Sequence, residues 1–260
     1  MHETHAHRGT VVAVVVARAG SKGVPGKNLA PIAGRPCVVW TIEQAVRAQS
    51  VDEVVVSSDS EAILDLASEM GATPHRRSDT LATDTARVDD ALREAVLWLE
   101  RDAAARAQGE THQVGGAVLL YGNVPVRPPG LIDRAVELWC TSGCDSVQSY
   151  ASVGKYHPLW QVRLGADGRV TPWEGERLFG GVYRRQELSP SFVPDGGVMV
   201  VSRAALFHKL GGADPAHPHS FLGDDHRGVM TGEGDVVDID SAADLAVAEA
   251  RLGARPAVGA

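Results

Sequence analysis

Residues 10–28 read "TVVAVVVARAGSKGVPGKN", a valine-rich run that passes straight into glycine and positive charge. Residues 11–17 are all Val or Ala, with no polar alternation, which predicts a strand over 10–17 covered on both faces. The loop then sets Arg18, Lys22 and Lys27 among Gly20, Gly23 and Gly26. Glycine lets backbone N–H groups come close to an anion, and cations neutralise a polyphosphate. The spacing excludes the two commonest phosphate loops. A Walker loop needs its second glycine one residue earlier and a hydroxyl where Asn28 stands, and a dinucleotide fingerprint does not place glycine at every third position. A nucleotide-triphosphate loop of another type fits best; the competing reading is a solvated turn whose charges do nothing.

Those cations sit on an acidic chain. The 260 residues carry a formal charge of −8, which argues against a general nucleic-acid binder. An apolar content of 44% and a charged content of 22% are ordinary for a globular protein, and the length suits one large domain with an insertion. No apolar run approaches the ~20 residues that span a bilayer. The opening "MHETHAHRGT" has no signal-peptide core and reads as a disordered arm over 1–9, so His2, His5 and His7 are not read as a metal site. The three cysteines, Cys37, Cys140 and Cys144, give no disulfide framework and no second pair of zinc ligands. They read as packing residues in a reducing, cytoplasmic protein.

Further along, strand and helix patterns alternate. Apolar residues at 38, 42, 45 and 46 have helical spacing and precede a strand "EVVVSS" at 53–58. Helices follow over 61–70 and from Val88, where Val88, Ala91, Leu92, Ala95, Val96 and Leu99 make one apolar stripe. A strand at 116–121, a helix from about 130 to 142 and a strand near 145–150 continue the order. This is an α/β pattern: a mostly parallel twisted sheet with helices on both faces, in which ligands bind beyond the carboxyl ends of the strands. Residues 152–194, rich in Gly, Pro, Trp and Tyr, interrupt it as a small β insertion, and "GGVMVVS" at 196–202 restores the core. The stretch 211–228, containing "HPHSFLGDDH", reads as a loop or lid, and 235–240 as a strand leading into a last helix with Ser241 and Asp244 as its capping box. The domain thus runs over 10–253, with a tail at 254–260.

The loop "ARAGSKGVPGKNL" closely resembles the signature of the acylneuraminate cytidylyltransferases, the CMP-sialic acid synthetases and their relatives, whose pattern centres on A-R-x-x-S-K-G-x-P-x-K-N-L. The resemblance extends over most of the chain. "VSSD" at 56–59, "RSDTLATDTA" at 77–86 (one residue longer than the family's segment), "HPL" at 157–159, "RQELSPSFVPDGG" at 185–197 and "DIDSAADL" at 238–245 follow in family order. It implies a Rossmann-like nucleotidyltransferase fold, a homodimer formed through the insertion, and transfer from CTP to a 2-keto-3-deoxy sugar acid with release of pyrophosphate. By the same resemblance Arg18, Ser21, Lys22, Lys27 and Asn28 contact the nucleotide, with Arg18, Lys22 and Lys27 acting on the transferred phosphate. Arg77, Asp84 and Thr85 frame the cytidine. Arg185 meets the sugar carboxylate, and Asp238 and Asp240 hold magnesium.

Residue chemistry agrees with these assignments and also offers alternatives. Attack on an α-phosphate concentrates charge on oxygen, so positioning and electrostatics carry the catalysis. Magnesium takes one or two carboxylates plus phosphate oxygens, and carboxylates two apart on a strand share a face. The competing reading of the pair is an acidic strand end that caps the next helix. For Arg185 it is a surface ion pair with Glu187, and for His157, a candidate for the sugar pocket, a surface loop histidine.

The chain departs from the family pattern on the sugar side. Where the family has Q-P-T-S-P-L-R, residues 121–127 read "YGNVPVR", so Tyr121 replaces the sugar-contacting Gln and Asn123 offers only a neutral ligand. Met199 stands where Tyr is common, and Asp195 where Asn is usual. The family resemblance implies a sialic acid or a related nonulosonic acid, and these changes point to cytidylyl transfer to a related but different nonulosonic or ulosonic acid. They leave open a same-fold enzyme for another acid, such as 3-deoxy-manno-octulosonate, or a non-catalytic nucleotide- or sugar-binding protein.

Overall fold

The valine run forms β1, Thr10–Val16, and lies between two parallel neighbours in a seven-stranded sheet. The computed structural model describes residues 9–20, 23–106, 113–211 and 214–254. Ser21 and Lys22 lie outside the described residues, as do the histidines of the arm and positions 255–260. β1 has no polar face because both of its faces are covered. Val11, Ala13 and Val15 enter one hydrophobic cluster, and Val12, Val14 and Val16 enter another.

After β1 the chain makes a small hairpin, β2 (Pro31–Ile32) and β3 (Arg35–Pro36), then α1 (Cys37–Arg47), β4 (Glu53–Ser58), α2 (Glu61–Glu69) and β5 (Thr73–Arg76). Next come α3 (Val88–Arg106), β6 (Val114–Tyr121), α4 (Leu131–Ser142) and β7 (Ser146–Ser152). The sheet order is β11-β7-β10-β6-β1-β4-β5, where β10 is Phe192–Ser202 and β11 is His226–Thr231. β10 runs antiparallel to β6 and β7, and every other pairing is parallel. Helices α1, α2 and α4 bury Val38, Ile42, Ile63, Ala67, Val136 and Trp139 on one face. The stripe of α3, with Leu92, Val96 and Leu99, covers the other beside α5 (Arg203–Leu206).

The insertion is small and partly β, as expected: β8 (Val162–Leu164) pairs with β9 (Val170–Pro172) among short 3-10 turns. Three details differ from the sequence expectation. β5 has no counterpart in the sequence reading, and β11 starts inside the stretch 211–228 read as a loop. Pro74 is tolerated in β5 because that strand lies at the sheet edge. β10 starts at Phe192, before the expected 196, through a register shift between Pro194 and Met199. Residues 235–240 are not a strand; only Val237 bridges to Val126, and Val237 and Ile239 pack under α6 (Ala242–Gly253). The capping box of α6 is formed as expected, Ser241 accepting from the Asp244 N–H. Cys37 and Cys144 are buried and Cys140 is half-buried, and no disulfide joins the three. Among the described residues no helix is long and apolar enough to cross a membrane.

Candidate active site

The carboxyl ends of β1, β4 and β6 meet where the glycine loop begins, and the loop is tied down there. Ala17 N–H donates to Ser57 O at 3.1 Å and Ala19 N–H to the Asp59 carboxylate at 2.7 Å. The loop closes on a turn in which Gly26, at φ +65°, accepts from Leu29 N–H at 2.8 Å. Asn28 is buried and donates Nδ2–H to Arg18 O at 2.9 Å, bridging the two ends of the loop. Its Oδ1 is buried against Gly122 and has no hydrogen-bond partner among the described residues. Gly23 passes so close to the far chain segment that a Cβ there would lie 2.6 Å from Asp240 O.

Beyond the loop lies a cavity of about 220 Å³ lined by Arg18, Lys27, Asn28, Arg77, Asp84 and Asn123. The structure therefore brings together the described nucleotide-side residues expected from sequence, with one exception: Thr83 rather than Thr85 lines the cavity. Arg18 pairs with Asp84, and Lys27 Nζ lies 2.7 Å from Asp240 Oδ1. Arg77 is buried and fixed by its bonds to Ser57, Nη2 donating to the carbonyl at 2.7 Å and Nε to Oγ at 3.1 Å. Burial pulls its pKa below the usual arginine value, opposed by the Asp59 carboxylate.

A second cavity, of about 450 Å³, adjoins the first and shares Arg87, Val88 and Tyr121 with it. Tyr121 and Met199, both expected on the sugar side, line it together with Gln148, Tyr150, Phe221 and His226. His157 and Arg185 are not brought there. His157 is consumed locally: its Nδ1 accepts from Leu159 N–H at 3.2 Å, and its Nε2 lies 3.0 Å from Ser189 O. Arg185 stands exposed in the insertion, 3.3 Å from Glu233 rather than paired with Glu187.

Asp238 and Asp240 reach the site by a route other than a shared strand face. Ile239 N–H donates to Asn123 O at 2.9 Å, docking the segment on the end of β6, and Asn123 Nδ2 donates to Asp238 Oδ1. Burial, and then the neighbouring Asp240 charge, push the Asp238 carboxyl up to about 6. Two carboxylates crowded together can accommodate a cation, and both are hard oxygen donors that suit magnesium. Among the described residues no third His, Cys, Asp or Glu joins them, which agrees with an ion completed by phosphate oxygens. Asn123 thus acts as a strut for Asp238.

Three further residues escaped the sequence reading. Asp59 holds the loop, and its only signal was its place at a strand end. Arg87 forks onto buried Asp89 at 3.0 and 2.8 Å and donates to Pro218 O at 3.1 Å, fixing 215–218 beside both cavities. Arg127 is buried and donates to Thr41 Oγ1 at 3.0 Å and Tyr121 O at 3.2 Å, as well as to Val124 O and Gly197 O. None of these long-range pairings has a local signature.

Comparison with known proteins agrees with this geometry. A cytidylyltransferase family model matches residues 12–112, the part that carries the glycine loop and Arg77 to Thr85. An N-acylneuraminate cytidylyltransferase of Streptococcus agalactiae is 29% identical over 74% of this chain, and the match spans 43% of that relative's length. A CMP-N,N'-diacetyllegionaminic acid synthase of Legionella pneumophila is 29% identical over 92% of this chain and 94% of its own. In fold, the chain is similar to a CMP:2-keto-3-deoxy-manno-octonic acid synthetase solved in complex with CTP, with a TM-score of 0.63, 17% identity and coverage of 94% and 98% of the two chains. Loop, fold and these matches together make the chain similar to the cytidylyltransferases and, among them, to the N-acylneuraminate cytidylyltransferases.

Proposed function

We propose that this chain joins CTP to a 2-keto-3-deoxy sugar acid, a sialic acid or a related nonulosonic acid, giving a CMP-sugar and pyrophosphate. The observation that carries this is the pair of adjoining cavities that meet at Tyr121, one lined by the loop's cations and the other without them. CTP occupies the first, with the buried Arg77 behind it and Arg18 and Lys27 toward its phosphates. Lys22 joins them by the same family pattern. The sugar acid occupies the second cavity and presents its anomeric hydroxyl at the seam. Its oxygen bonds to the α-phosphorus and gives up its proton, while the bond from that phosphorus to the oxygen bridging to the β-phosphate breaks. Arg18 and Lys27 neutralise charge on the phosphates, and Arg18 exchanges Asp84 for phosphate as CTP binds. Magnesium, when held by Asp238 and Asp240, adds positive charge on the phosphate side.

The insertion supports a homodimer. Tyr183 is 92% exposed, Leu164 73% and Trp173 53%, large side chains that a second copy would cover. Sedimentation should give a dimer that charged substitutions at Leu164 and Trp173 dissociate. Three cysteines joined by no disulfide fit a reducing cytoplasm.

The test of function is pyrophosphate release across the four ribonucleoside triphosphates and a panel of sugar acids with Mg²⁺. Release should need CTP and a 2-keto-3-deoxy acid together. No CTP-dependent release with any acid overturns the proposal.

A further inference from the structure

β7 and β11 run side by side, with His226 opposite Ser146 and Gly228 opposite Gln148. A hydrogen-bonded chain crosses between them under the second cavity. Ser146 Oγ contacts Leu222 O and lies 2.7 Å from His226 Nδ1, and His226 Nε2 lies 2.7 Å from Tyr150 Oη. The protons in this chain have one consistent arrangement. A carbonyl only accepts, so Ser146 gives its hydroxyl proton to Leu222 O and accepts from His226 Nδ1–H. Burial holds His226 below the usual histidine pKa, so Nε2 keeps a lone pair and accepts the Tyr150 hydroxyl proton. Tyr150 Oη is left with lone pairs alone to offer the cavity it lines. Gly228 permits this placement, since a Cβ there would sit 3.1 Å from the Tyr150 ring.

Gln148 lies two residues before Tyr150 on the same strand, so both side chains face the same cavity. Its Oε1 lies 3.4 Å from Tyr150 Oη, a more distant acceptor for the tyrosine proton than His226 Nε2 at 2.7 Å. With the tyrosine proton committed to His226, what Gln148 adds to the wall is the N–H donors of its Nε2. Met199 and Phe221 make the apolar wall alongside. A donor, an acceptor and an apolar surface on one wall match the carbonyl, N–H and alkyl group of a secondary amide.

We propose that Gln148 and Tyr150 are specificity-determining residues that read an N-acylamino substituent of the sugar acid: Gln148 Nε2 donates to the acyl carbonyl, Tyr150 Oη accepts the amide N–H, and the acyl chain packs on Met199 and Phe221. This rests on the second cavity being the sugar-acid side. It selects N-acylated amino sugar acids over analogues with an ester at the same carbon, which keep the carbonyl and lose the N–H.

The test compares kcat/KM for an N-acylamino acid and its O-acyl counterpart in wild type, Tyr150→Phe and Gln148→Leu, with CTP affinity as the control for folding. Wild type should prefer the amide by about tenfold or more, the cost of leaving one hydrogen-bonding group unpaired. Tyr150→Phe should bring that ratio close to one, and Gln148→Leu should weaken both substrates while retaining the ratio. A wild-type enzyme that turns over both acids equally, or a Tyr150→Phe ratio equal to that of wild type, overturns this inference and leaves the proposed reaction standing. Absence of CTP-dependent turnover with either acid in wild type sinks both.

Discussion

Lys27 Nζ lies 2.7 Å from Asp240 Oδ1, joining the glycine loop to a carboxylate 213 residues away. The lysine side chain is 17% exposed and the aspartate 73%, so solvent screens the pair, and it contributes about 0–1 kcal/mol to stability. In the proposed function its value lies in holding a cation beside the phosphates of CTP. Lys27→Met should shift Tm by no more than a few degrees and weaken CTP binding by about tenfold or more. Thermal denaturation and equilibrium CTP titration check this together. A large loss of Tm with intact CTP affinity would give Lys27 a structural role only.

Gly23 supplies the close approach on the other side of that contact. An added Cβ would meet backbone rather than a movable side chain, at 2.6 Å from Asp240 O, so loop and carboxylate segment must move apart. Gly23→Ala should therefore lower kcat/KM for CTP by about tenfold or more, since displacements of about 1 Å suffice for such losses. Thermal stability should hardly change because Gly23 is exposed. Steady-state kinetics with CTP varied is the measurement, and wild-type values would show that the loop tolerates the displacement.

Arg127 is the buried brace of the segment that carries Tyr121 and Asn123. Burial drives its pKa down to about 9, yet it stays protonated at neutral pH because carbonyl oxygens surround it. Arg127→Met leaves those acceptors unpaired at about 1–3 kcal/mol each, so a loss of at least about 3 kcal/mol in urea unfolding is expected. Lysine should not rescue it, because one ammonium does not reproduce the planar fork. Unchanged unfolding midpoints in Arg127→Lys would show that charge alone suffices.

Much of this was legible in the sequence for local reasons. A Val and Ala run buried on both faces has no alternation, and α3 shows its stripe because one side alone meets the sheet. β11 stayed hidden because its edge position leaves Met230 68% exposed, so no apolar period marks it. The segment 235–240 looked like a strand because Val237 and Ile239 alternate with aspartates, but they bury under α6 instead of pairing in the sheet. The cations of the first cavity read well because one contiguous loop carries Arg18 and Lys27. The second cavity is assembled from β6, β7, β10 and β11, and no linear spacing encodes that meeting. His157 and Arg185 fell near it in family order only, and their bonds lie within the insertion or to Glu233.

Asp238 gives the fold a pH dependence whose sign can be stated. Its carboxyl is pushed up to about 6 in the folded chain by burial and Asp240, while the unfolded chain titrates near the ordinary 3.8. Between those values the folded state holds a proton that the unfolded state has lost, so stability falls as pH rises through the window. Asp238→Asn removes the anion and retains an oxygen to accept from Asn123, so it should raise Tm at about pH 7.5 and change it little at about pH 4. In the proposed metal site, magnesium would compete with the proton for the same oxygens. It should raise the wild-type Tm at about pH 7.5, do so weakly at about pH 5, and fail in Asp238→Asn. Thermal denaturation of both proteins across this range, with and without Mg²⁺, decides the matter. A magnesium effect that survives in Asp238→Asn, or grows as pH falls, would remove Asp238 from the metal site.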